Sequence, residues 1–268
     1  MINKLDMNKA LFIVTGLLAL VAAVIGVVDP GIYEPVVSDE IVPGVFTQDL
    51  VVIIAAVLLI VLAAWMKRDD FRKMIVVFGI LGFFFYAFGI YVIEQIYTAL
   101  YILYLGVLSL SFFGLVLGLS SLRQSEIEGL KLTPIIRYSS AGYGVLIAVM
   151  FNFIWINQLI PLMQTGYRIE YMFSVFIIDL VFIMPAFVIA GIFAIRRRAI
   201  GMIGLPALFV LGVGILSPLA LAEILKPYRY DLPMDTGEFW LYAVLSLVFL
   251  GLTGVYLLAL RRPRAADR

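Results

Sequence analysis

The chain has 268 residues, of which 64% are apolar and only 14% charged, with 19 basic residues set against 18 acidic ones. Soluble domains carry about 25% charged residues and nucleic-acid binders present a basic face, so this composition points to a membrane protein and away from a nucleic-acid partner. Cysteine and histidine are both absent, which removes disulfides, thiolate metal sites, the usual haem ligand and the commonest general base, and no cofactor is expected.

Apolar runs of about 17 to 25 residues mark membrane-spanning helices. They predict an all-α, polytopic transmembrane bundle, one domain over 1–268, with eight spans at 10–28, 50–66, 74–93, 96–122, 140–163, 172–195, 200–224 and 239–260. The first run follows Lys4 and Lys9 in the manner of a secretory leader. Its length exceeds the usual leader core of about 7 to 15 residues, so it is expected to be a retained anchor. The connection 29–49 contains Pro30, Pro35 and Pro43 and has no amphipathic period, yet it carries Ile32, Tyr33, Val45 and Phe46. Such side chains sit poorly in bulk water, and the segment is expected to fold back as a partial lid.

Residues 74–122 are almost continuously apolar, far too long for one crossing at about 1.5 Å per residue. Glu94-Gln95 is the only polar break, so a tight turn is expected there, with seven spans as the fallback if one segment is re-entrant. Gly114-x3-Gly118 and Ala186-x3-Ala190 offer close helix contacts. In span six Pro185 lacks an amide hydrogen and leaves the Val181 carbonyl free, which predicts a bend. Pro206, Gly212, Gly214 and Pro218 loosen span seven in the same way.

Charge orders these spans. With eight crossings, sixteen of the nineteen Lys and Arg residues fall on the face that carries both termini, and three on the other. Basic connections stay in the cytoplasm, so both termini are expected inside. The opposite, outer face is acidic, with Asp29, Glu34, Asp39, Glu40, Asp49, Glu94, Glu170, Asp231, Asp235 and Glu238 in or beside its connections, and Glu223 at the end of span seven. Ordinary solvation and orientation account for such charges; an electronegative vestibule that concentrates cations is the sharper reading.

Asp179 is the only carboxylate well inside an apolar run, in FSVFIIDLVFIMPAFVIAGIF. A charge at the centre of a membrane helix costs roughly 2.5 to 3.5 kcal/mol on insertion scales, so it is expected to face a partner or a cavity. Counted from the outer side it lies roughly 10 Å down its helix. Asn152, Asn157 and Gln158 fall in the outer part of span five, and Tyr97, Tyr101 and Tyr104 recur on one face of span four. These positions predict an outward-facing pocket whose ligand residues are Asp179, Asn152, Tyr104, Tyr101, Asp49 and Glu94, and which takes a small cationic or neutral molecule from the surroundings of the lipid bilayer. The alternatives are an interfacial aromatic belt with amides bonding neighbouring helices, and a structural or assembly subunit without its own ligand. An intramembrane enzyme is the weakest reading, since a carboxylate dyad needs two acids at matching depth and Asp179 alone reads as deep.

Several short motifs carry a resemblance. Pro43-Gly44 with Gln48-Asp49-Leu50, Gly79, Gly82 and Tyr86, Tyr104 with Leu108-Ser109-Leu110, Asp179-Leu180 with Pro185, and Arg196-Arg197-Arg198 followed by Gly201 and Pro206 together span about three quarters of the chain. In these the sequence resembles a family of uncharacterised multi-span membrane proteins of bacteria and archaea. What the resemblance implies is architecture only, with no activity to transfer; the expected location is the cell membrane of a prokaryote. The family pattern places a lysine before a glycine in span seven, where this chain has Leu211-Gly212, so an acid–lysine pair between spans six and seven is not expected here.

Overall fold

A computed structural model describes residues 5–170 and 172–261 of the chain. The fold is all-α: no strand occurs among the described residues, and one isolated bridge joins Lys131 to Arg261. Eight helices are long and apolar enough to cross a bilayer: Leu5–Val28, Val42–Ala64, Phe71–Ile93, Tyr101–Ser120, Pro134–Thr165, Phe173–Ile195, Ala199–Arg229 and Thr236–Ala259, here called spans one to eight. The protein is a multi-pass membrane protein.

The count agrees with the sequence; several boundaries do not. Span two begins at Val42 rather than at 50, because Pro43 occupies the first turn, where no amide hydrogen is needed. Asp49 therefore sits inside a helix and not at its end. The break between spans three and four is wider than a tight turn at 94–95. Span three stops at Ile93, Gln95 takes a positive φ of 57°, and the next helix starts only at Tyr101. Spans five and seven run to 32 and 31 residues, well beyond the roughly 20 that cross an apolar core.

Spans three and seven are the most enclosed and form the centre of the bundle. Span three packs on spans two, four and seven, and span seven also contacts spans two, six and eight. Gly79 and Gly82 let the two central helices approach, since a Cβ at either position would collide with Val210 or Leu211 of span seven. Span one lies across spans two and four, while span five leans chiefly on span six.

Both described ends of the chain meet on one basic face. The Lys131 amide donates to the Arg261 carbonyl at 2.8 Å and the reverse bond is 3.0 Å, while Arg72 reaches the Leu260 carbonyl at 3.2 Å. Near the start of span one, Asn8 donates to Ser121 at 2.9 Å. Arg198 of the triple-arginine turn meets Glu128 at 3.4 Å. The basic residues Lys4, Arg262, Arg264 and Arg268 lie outside the described residues.

The turn between spans six and seven depends on one glycine. Arg197 adopts a positive φ of 56°, the Arg198 amide donates back to the Phe193 carbonyl at 2.9 Å, and a Cβ at Gly201 would fall on the backbone of Phe193 and Ala194. Backbone cannot swing aside as a side chain can. Gly201→Ala should therefore lower stability by about 1–3 kcal/mol, whereas Gly251→Ala, which meets nothing within 4 Å, should be close to neutral. Equilibrium unfolding of both variants in the same detergent tests this, and equal unfolding curves would contradict it.

Candidate functional site

Span six is not a uniform helix. Pro185 supplies no amide for Val181, and over Asp179–Ile183 the backbone widens into a π-turn in which the Met184 amide donates to the Asp179 carbonyl. The discontinuity expected from the proline takes this form. Asp179 thus stands at the first position of the wide turn, only 5% exposed. Its Oδ2 accepts the indole N–H of Trp155 from span five at 2.8 Å, and the Tyr86 phenol of span three interacts with the same carboxyl group. The acid is turned inward, toward donors from two other helices.

A cavity of ≈ 270 Å³ opens beside it. Its wall is built by Val36, Val37 and Ile41 of the first connection, Gln48 of span two, Tyr86 and Tyr91 of span three, Trp155 of span five, Asp179 and Phe187 of span six, Leu211 and Leu216 of span seven, and Tyr242 and Phe249 of span eight. Spans one and four contribute nothing to it. Glu94, just past the end of span three, also lines this space. One of its oxygens accepts the Ser174 amide at 2.7 Å, capping the first turn of span six, where free amides and the helix dipole favour a negative charge. Its other oxygen, Oε2, is buried without a hydrogen bond among the described residues.

Asp49 belongs to a different cluster. It is 1% exposed, and its two oxygens accept the phenols of Tyr33 at 2.6 Å and Tyr91 at 3.0 Å. The Tyr33 hydroxyl lies 3.4 Å from that of Tyr104, which also takes a 3.2 Å bond from Thr98. Span one closes the cluster through Gly26, where a Cβ would overlap both the Asp49 carboxylate and the Tyr33 hydroxyl. Tyr33 is fully buried although it belongs to a connection. That burial pushes its phenol far above the ordinary range, so it acts as a donor. The expectation that Asp179 alone is deep is corrected here: Asp49 and Asp179 both lie roughly 10 Å down their helices from the acidic face. They are nevertheless held in separate settings, and no shared carboxylate dyad forms.

The remaining sequence candidates disperse. Asn152 donates to the Ala148 carbonyl of its own helix at 2.8 Å, and Tyr101 donates to the Val92 carbonyl at 3.0 Å while its ring packs on Tyr97. Neither they nor Tyr104 line the cavity, so Asp179, Asn152 and Tyr104 do not converge. What joins Asp179 and Glu94 there instead is Gln48, Tyr86 and Trp155. Gln48 and Asp49 are consecutive, about 100° apart around their helix, which is how one reaches the cavity and the other the tyrosine cluster. Glu223 also turns inward, 3% exposed, paired with Lys226 and accepting the Asp235 amide at 2.9 Å. This group fastens the connection between spans seven and eight. Among the described residues no three acidic side chains gather as metal ligands.

No protein-family model, curated protein or solved structure matches this chain. The chemistry is therefore read from the geometry: a mostly apolar space into which a few polar groups converge, suited to holding a molecule.

Two substitutions test the Asp49 cluster. Asp49→Leu strands two buried phenols and should cost about 1–3 kcal/mol of stability. Tyr33→Phe removes one bond and should chiefly speed amide hydrogen exchange over residues 29–41, read by mass spectrometry. Unchanged exchange in that segment would show that the Tyr33–Asp49 bond does not hold it down.

Proposed function

We propose that this protein binds a small cationic or neutral molecule in a pocket that opens to the acidic face and is centred on Asp179, and that it serves as a carrier or sensor. The acidic face is assigned to the exterior and the basic face, with both termini, to the cytoplasm. The membrane is taken to be the prokaryotic cell membrane, in keeping with the family the sequence resembles.

The observation that carries this reading is the cavity itself. Protein interiors pack to crystal-like density with few voids larger than a water molecule, yet here ≈ 270 Å³ stays open between six helices and the first connection. Ligand sites are spaces of this kind, mostly apolar with a few convergent polar groups. A second reading, a subunit that only supports a membrane assembly, is favoured by the Asp49 cluster, whose polar groups satisfy one another without a ligand. Co-purification of a partner at fixed stoichiometry would support that alternative.

The sequence has no cysteine, so a single thiol can report access. Gln48→Cys, examined in intact cells and in inverted vesicles, should react with a membrane-impermeant cationic methanethiosulfonate only from the exterior. It should react several-fold more slowly with the anionic reagent of similar size. Reaction only from the cytoplasmic side, or none from either side, would refute an outward-opening pocket.

A further inference from the structure

The cavity has a chemical polarity that narrows its occupant. We propose that it takes an amphipathic organic cation, an amine or quaternary ammonium head joined to one apolar chain or ring body, admitted at the membrane interface. The inference rests on the reading of this cavity as a ligand site.

Charge comes first. Asp179 and Glu94 line the space, and no Lys or Arg lines it among the described residues. The groups that contact the Asp179 carboxyl, the Trp155 indole and the Tyr86 phenol, are neutral. They orient the acid and leave its charge for a guest to balance. A carboxylate in apolar surroundings calls for a cation or a proton. An anionic head would meet two like charges and no compensating one.

Aromatic faces come next. Tyr86, Trp155 and Tyr242 stand around the same space as the two acids. Rings of this kind attract ammonium groups through their negative faces, and most of all those that shed water easily, such as quaternary ammonium. A small hydrated metal ion gains little from such walls, and among the described residues no three acidic side chains gather to hold one.

The floor supplies the other half of the molecule. Phe187 lies eight residues beyond Asp179 on span six, roughly 12 Å further into the bundle, and is joined there by Phe249, Leu211 and Ile215. Phe187 and Phe249 stack with ring centroids 6.0 Å apart. A compact cation bound at Asp179 would leave this surface uncovered, whereas an apolar body of about this reach would fill it.

The mouth agrees with that guest. Among lining residues, Met172 and Leu241 are the ones that reach far into the surface, at 44% and 53% exposure, and both are apolar. Leu241 follows the exposed Trp240 near the start of span eight. Interfacial Trp and Tyr mark the headgroup level of a bilayer, which is where amphiphiles accumulate.

The test uses full-length protein in lipid nanodiscs, with Trp65→Phe and Trp240→Phe so that Trp155 is the sole indole. Four probes are titrated below their micellar concentrations: decyltrimethylammonium, decanol, decyl sulfate and tetramethylammonium. Decyltrimethylammonium should shift Trp155 emission saturably and protect Gln48→Cys, made in a second sample, from the thiosulfonate. Tetramethylammonium, decanol and decyl sulfate should each bind at least about tenfold more weakly, and Asp179→Asn should weaken decyltrimethylammonium by roughly tenfold or more. Equal effects of decanol or decyl sulfate would overturn the cationic head, and equal effects of tetramethylammonium would overturn the apolar body. If Gln48→Cys remains reactive and none of the probes protects it, the ligand class is wrong while the pocket stands. If that thiol never reacts from the exterior, the underlying pocket reading fails first. Asp179→Glu should retain part of the affinity, which separates loss of charge from a misfolded variant.

Discussion

A carboxylate at the depth of lipid tails has to be surrounded by donors supplied by the protein itself. This chain meets that demand twice, in two manners. Asp49 has both oxygens engaged by phenols, with Gly26 of a neighbouring helix pressed against them. Asp179 has donors on one side and open space on the other. The first arrangement is saturated and therefore structural. The second has as many donors, the Trp155 indole and the Tyr86 phenol, but borders the cavity, and that is why it is the proposed binding position.

The Asp49 cluster organises one side of the cavity that Asp179 borders. Through Tyr33 it draws the first connection down onto the helices, and the following residues Val36, Val37 and Ile41 become part of the cavity wall. Through Tyr91 it also holds span three, the helix that carries Tyr86 about 1.4 turns away. Spans one and four never touch the cavity, yet Gly26 and Tyr104 help to fix its wall from behind. On the other side, span five supplies Trp155 while packing mainly against span six, so the donor and the acid it holds belong to one closely packed helix pair.

The parts of this structure that could be read from sequence are those governed by solvent preference summed over many residues. Runs of apolar side chains and the sorting of Lys and Arg gave the eight helices, and the price of an isolated charge in oil gave the inward turn of Asp179. Glu94 could be placed near the site because it breaks the longest apolar run. The remainder depends on pair geometry. The apolar side chains of the first connection signal that it folds back, but nothing there reveals that Tyr33 pairs with Asp49, and the hydrophobic threshold that began span two at 50 hid the helical turns opened by Pro43. Trp155 and Tyr86 look like ordinary membrane aromatics until spans five and three are set against span six. Asn152 misled for the opposite reason: an amide in an apolar helix needs a partner, and here it takes the Ala148 carbonyl four residues back.

The wide turn of span six has a consequence for how its residues line up. Val175, Asp179, Ile183 and Phe187 all border the cavity, at intervals of four. In a regular helix twelve residues would carry the last of them roughly 120° around the axis from the first, and the row would spiral out of view. The i→i+5 turn unwinds the helix locally and holds these side chains in a nearly straight seam, so that one strip of a single helix can present its acid above and its ring below to the same guest.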